Sequence, residues 1–132
     1  MESEFDRAIV ALCADRPEIV AVYLFGSTAR GTAGPSSDVD VAVLFERTPP
    51  RRLSSARFEL AGDLERVVGR AVDLIVLNDA PVDLRTRVLR NGRLLLERDR
   101  ARRIAFEVAT RNEAFDLEPI LTRYRAPRRA GR

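Results

Sequence analysis

Histidine, lysine and tryptophan are absent from the 132 residues, and cysteine occurs once. Without an imidazole, every mechanism built on a histidine base is excluded, the Ser-His-Asp and Cys-His arrangements among them, and a zinc site becomes improbable. Acid-base and metal chemistry must rest on carboxylates. A lone Cys13 can form no internal disulfide, and its place on the apolar side of the first helix marks it as a buried core thiol. No stretch of eighteen apolar residues exists, and the N-terminus carries acids where a signal peptide would need a basic start and an unbroken apolar run. The expectation is a cytoplasmic protein with no membrane association. Few aromatic residues, 6% of the chain, leave no stacking platform for a nucleic-acid strand, so nucleic acid is not the expected substrate.

What is present is one domain's worth of core, with 45% hydrophobic and 33% charged residues. All 23 basic residues are arginine, each a planar fork suited to phosphate or carboxylate, and the net charge is +3. Five of those arginines fall in the last ten residues, so the expected division is a domain over 1–124 and a solvated basic tail over 125–132.

Along the chain, helix and strand alternate without an internal repeat, which predicts an α/β (α+β) domain. Phe5, Ala8, Ile9, Leu12 and Cys13 recur at helical spacing and predict a helix from about Glu2 to Asp15, stopped by Pro17. Ile19 to Phe25 and Asp38 to Phe45 are dense in β-branched residues and read as strands buried on both faces. Between them, the glycines and proline make a loop in which Ser27 to Arg30 could form a single helical turn. A helix from about Leu53 to Val68 presents Ala56, Leu60, Leu64, Val67 and Val68 on one side and ends at Gly69. The strand Ala71 to Leu77 follows, parallel to the second strand through a crossover. The short first link allows antiparallel pairing, so the sheet is expected to be mixed. A short helix around Val82 to Leu89 and a strand Arg93 to Glu97 complete it. In the last helix, Ala101, Ile104, Ala105, Val108, Asn112 and Phe115 mark one face, and Pro119 should kink or restart it.

Asp38 and Asp40 alternate with valines at a strand mouth, so a period of two sends both carboxylates to one face and Val39, Val41 and Val43 to the other. Two such acids repel unless one is protonated or a hard cation lies between them, and magnesium suits few carboxylates plus substrate phosphates. Asp73 is the one acid in an otherwise apolar strand, where an unpaired buried carboxylate would be costly. If that strand lies beside the second, three carboxylates converge and can hold two magnesium ions, the arrangement that stabilises attacking and leaving oxygens in phosphoryl transfer. Gly26 lets a backbone approach a triphosphate closely, Ser27 adds a hydroxyl donor, and Arg30 a charged fork. Taken singly, a Gly-Ser after a strand is an ordinary turn and an Asp-x-Asp an ordinary loop pair. Four fixed residues at fixed spacing, however, arise by chance in roughly a few chains per thousand of this length.

The stretch LFGSTARGTAGPSSDVDVAVLF, with the later VDLIVL and NGRLLLERD, resembles the minimal nucleotidyltransferases of the DNA polymerase beta superfamily, most closely the MntA-type antitoxins paired with HEPN toxins. The resemblance implies a nucleotidyltransferase fold, two Mg2+ ions, ATP as substrate, and attack of a hydroxyl on the α-phosphate. In that branch the acceptor is a tyrosine of a HEPN ribonuclease toxin, which is adenylylated and silenced within a hetero-oligomer. Gly26 and Ser27 then match the phosphate-binding pair, Asp38 and Asp40 the metal ligands, and Asp73 the acid that assists the attacking hydroxyl. Two other readings stay open. One is an aminoglycoside-type small-molecule nucleotidyltransferase, and the other is a toxin-binding module without catalysis.

Overall fold

The computed structural model describes residues 4–26 and 38–125. Its elements, in chain order, are α1 (Glu4–Ala14), β1 (Ile19–Phe25), β2 (Val39–Phe45), α2 (Ala56–Val68), β3 (Val72–Val76), α3 (Val82–Asn91), β4 (Arg93–Glu97) and α4 (Arg100–Arg125). A short 3-10 turn, Leu77–Asp79, links β3 to α3. The four strands form one mixed sheet in the order β3-β2-β1-β4. β2 and β4 pair antiparallel with β1, while β3 lies parallel to β2, the pairing that the helical crossover through α2 permits.

Alternation along the strands divides the core in two. Val39, Val41 and Val43 turn to the face covered by α1 and α2, where they meet Ile9, Cys13, Leu60 and Leu64. Ala42 and Leu44 turn to the opposite face, where Tyr23, Leu77, Val88 and the partly buried Phe106 of α4 pack. Both central strands are buried on both sides, so their near-continuous apolar sequence is required rather than merely tolerated. Gly69 ends α2 in the left-handed conformation and donates its N–H to the Glu65 carbonyl. Asn78 closes the far end of β2, accepting from the Phe45 N–H and donating to the Phe45 carbonyl, both at 2.8 Å.

Several expectations are corrected. Val67 stands 45% exposed at the margin of the α2 stripe, because Leu60, Leu64 and Val68 already fill the inward face. Of the kink or restart expected at Pro119, the restart does not occur: helix α4 runs on to Arg125, since a proline removes one backbone bond and the turns on either side carry the helix across it. The apolar residues marked on α4 also face outward. Phe106 packs on the core, and Arg103, Glu107 and Thr110 take the other inward positions because their polar atoms find partners there. The possible turn at Ser27 to Arg30 and residues 126–132 of the expected tail lie outside the described residues.

A buried ion pair joins α1 to β4. The Asp6 carboxylate is fully buried, and Arg93 donates to it at 2.6 and 3.3 Å. The carboxylate raises the Arg93 pKa through that hydrogen bond. Cys13 is a core thiol, its pKa pushed up to about 11 by burial despite nearby Arg16.

Candidate active site

The carboxylates gather where β1 ends and where β2 and β3 begin. Pairing of β1 with β2 sets Phe25 opposite Asp40, and pairing of β2 with β3 sets Asp40 opposite Asp73. Phe25, Asp40 and Asp73 thus form a row across three strands at one height. Because side chains directly opposite in neighbouring strands share a face, the two acids point to the side bearing Ala42 and Ile75. The Val39 N–H donates to the Ala71 carbonyl at 2.9 Å and fixes the height of β3 against β2.

Gly26 follows directly. Its φ is +76°, and a Cβ built on it would overlap Asp40 Oδ2 and stand 3.0 Å from Asp40 Cγ. The backbone turn therefore lies on the carboxylate itself, and both the conformation and the contact require glycine. Gly92, at the end of α3, has the Phe25 Cβ 3.3 Å and the Leu24 carbonyl 3.4 Å from its own Cβ position, which brings the end of that helix against the same corner. The dipeptide Asn91-Gly92 reads in sequence only as a turn. The contact that makes glycine necessary is local, since a Cβ there would overlap the Val88 carbonyl oxygen four residues earlier, while the packing against β1 is merely snug.

The three acids differ in placement. Asp40 is half-buried between its neighbours, whereas Asp38 precedes the first residue of β2 and is exposed. Asp73 is exposed too, contrary to the expected burial, because β3 is an edge strand and its carboxylate is open to water. No desolvation argument is then needed for Asp73; its significance lies in its register with Asp40. Among the described residues no three His, Cys, Asp or Glu side chains are close enough to form a ready-made metal cage. The structure brings Asp40 and Asp73 together, leaves Asp38 beside them, and does not describe Ser27 or Arg30. As donors, the paired carboxylates are hard oxygens, one half-buried and one exposed at the sheet edge, which fits a magnesium ion that keeps most of its ligands for water and phosphate.

The far end of the sheet holds a cavity of about 370 Å³ lined by Pro17, Val20, Glu46 and several arginines. Arg98 donates to the Ile19 and Ala14 carbonyls and Arg102 to the Glu46 carbonyl, so these two guanidiniums brace the strand ends.

A family model described as "Polymerase beta, Nucleotidyltransferase" matches residues 7–101, which include every acid of the row. The chain belongs to that nucleotidyltransferase family. The chain is 35% identical over 96 residues, covering 72% of it and 67% of the relative, to the protein adenylyltransferase MntA of Shewanella oneidensis. Among solved structures it is similar to a toxin-antitoxin crystal structure with AMP-PNP, at a TM-score of 0.74 and 30% identity over 92% of this chain and 98% of that one. It is also similar to a tri-AMPylated Shewanella oneidensis HEPN toxin in complex with MNT antitoxin, at a TM-score of 0.68 and 28% identity over 92% and 97% of the two chains. This nucleotidyltransferase therefore keeps the fold of those relatives over nearly its whole length.

Proposed function

We propose that the chain is a magnesium-dependent adenylyltransferase that moves AMP from ATP to a tyrosine hydroxyl of a cognate HEPN toxin and thereby neutralises it in the cytoplasm. The observation that carries this reading is the register of Asp40 with Asp73 on adjacent parallel strands, with Gly26 seated on the Asp40 carboxylate. Relatives described as an adenylyltransferase, and as an antitoxin bound to an AMPylated toxin, support the acceptor class.

In this reading the attacking hydroxyl oxygen forms a bond to the α-phosphorus, the bond from that phosphorus to the bridging oxygen breaks, and pyrophosphate leaves. Asp73, open to solvent at the sheet edge, takes the hydroxyl proton. Asp38, Asp40 and Asp73 would hold two magnesium ions, which supply charge neutralisation at the attacking and leaving oxygens. Gly26 lets the turn approach the phosphates closely, and Ser27 and Arg30, next in sequence, donate to them.

Intact-mass measurement of the product of the adjacent gene, mixed with the chain, ATP and magnesium, tests the reading. Addition of AMP units that is lost with Asp40→Ala supports it. An unmodified partner, under conditions where the two proteins bind, overturns it.

A further inference from the structure

Helix α4 is built inside out. On the side turned to the domain, Glu107 accepts from the Tyr23 hydroxyl and from Arg103, both at 2.7 Å, and Arg85 of α3 donates to Thr110 and Glu113. On the opposite side Ala101, Ala105, Val108, Asn112 and Phe115 are all exposed, Val108 to 42% and Phe115 to 73%. A solvated surface helix has the reverse arrangement. These residues follow one another in alternating steps of four and three, the repeat with which one helix lies along another.

The register of that seam names its occupant. Asn112 is its one polar member, and an asparagine among apolar seam residues is satisfied when its own copy on an identical, parallel helix faces it at the same level. An antiparallel copy centred on Val108 would lay Asn112 against the turn at Ile104 and Ala105, leaving the amide without a partner.

The flanks agree. Ile104 and Arg111 border the seam on one side, and Arg102, Ala109 and Asp116 on the other. In a parallel pair each flank faces the opposite flank of the other copy, so that Ile104 meets Ala109 and Arg111 meets Asp116. Arg111 and Asp116 are exposed, and neither has a partner among the described residues. Five residues apart on one helix, they stand too far round it to pair with each other. Arg102 is already held by the Glu46 carbonyl at 2.8 Å, and Glu113, bonded to Arg85, stands outside both flanks.

We propose that α4 pairs in parallel with α4 of a second copy of this chain, Asn112 against Asn112 and Arg111 against Asp116. The two-fold axis then runs along the helices. Rotation about it leaves height unchanged, so the two rows of Asp40 and Asp73 stand at the same level of the dimer. The pairing does not depend on which acceptor the site serves.

Sedimentation velocity of the full chain across a wide range of concentration tests the proposal. The parent is expected to dimerise, and Val108→Glu and Phe115→Glu each to weaken the dimer at least tenfold. Arg111→Asp or Asp116→Arg alone should weaken it several-fold, and the two together should restore it, a compensation that charges remote on one helix cannot give. Phe58→Glu, on an exposed apolar residue of α2, should dimerise as the parent does. Ala101→Cys should form a disulfide between copies on mild oxidation, since position 101 faces itself only when the helices are parallel. The parent, whose one thiol is buried, is the control. Unchanged melting shows that each variant keeps its fold. A parent that stays monomeric at every concentration overturns the proposal. So does a dimer that survives both seam variants, or one whose Ala101→Cys form does not cross-link. A monomeric parent whose seam variants lose affinity for the product of the adjacent gene overturns it too, since the seam then seats that protein.

Discussion

The two faces of the sheet solve different problems. One is sealed: α1 and α2 close over the valines of β2, and Ile9, Leu60, Leu64, Val39, Val41 and Val43 have no exposed surface. The other is sealed only in part, by α3 and α4, and at its upper edge Asp40 and Asp73 stand in register beside a glycine turn. The same alternating strand, Val-Asp-Val-Ala-Val, serves both. Its valines anchor the fold, and that anchoring fixes where the carboxylate between them points.

Substitutions on the two faces should break this contrast in different observables. Leu64→Ala, on the sealed face, is expected to cost about 3–4 kcal/mol of unfolding free energy, because a fully buried leucine leaves a cavity in a packed core. Denaturant unfolding reads that loss, and Val67→Ala on the exposed margin of the same helix should cost well under half as much. Gly26→Ala, on the open face, should slow AMP transfer at least about a hundredfold, near 2.7 kcal/mol of barrier, because a displaced Asp40 carboxylate misplaces the reacting groups. Steady-state kinetics decide, and a variant within threefold of the parent would show that the turn yields without disturbing the acid. Arg93→Met weakens the tie of β4 to the fully buried Asp6. About 2 kcal/mol of destabilisation is expected, below the usual range for a broken buried pair since Arg93 is 41% exposed.

The smallest effect concerns alkaline pH. Tyr23 has its pKa raised by burial and by its hydrogen bond to Glu107, and Cys13 has its pKa raised by burial from 9.0 to about 11. Both are acids whose folded values lie above their unfolded ones, so the stability they contribute is complete below about pH 9 and is lost as pH rises through 9 to 11 and beyond. Tyr23→Phe should cost about 1 kcal/mol at neutral pH for the lost hydrogen bond. It should also make the decline above pH 10 shallower, and thermal melts across that range would show a parallel decline if the phenol were not responsible.

Much of the fold was legible because its signals are local. The β1 and β4 boundaries agree with the sequence reading to the residue, the mixed sheet followed from link lengths, and Gly69 marked the end of α2. The acid pair was legible for the same reason, since a period of two needs no tertiary information. The face of α4 was not. Its periodicity identifies an apolar stripe, but periodicity carries no address, and the inward positions went to Arg103, Glu107 and Thr110 because Tyr23, Glu97 and Arg85 were there to meet them. The pairing of Asp6 with Arg93 escaped for a related cause: the two lie 87 residues apart, and neither looks unusual in its own segment.

The sequence by itself determined the chemistry available, carboxylates without histidine, and the strand mouths at which they would appear. Only the tertiary structure decided that Asp73 stands level with Asp40 and open to water, that Gly26 lies on the carboxylate, and that α4 shows its apolar side to solvent. Composition and periodicity are properties of neighbours along the chain, whereas register, exposure and contact are settled by which strands and helices the core places side by side.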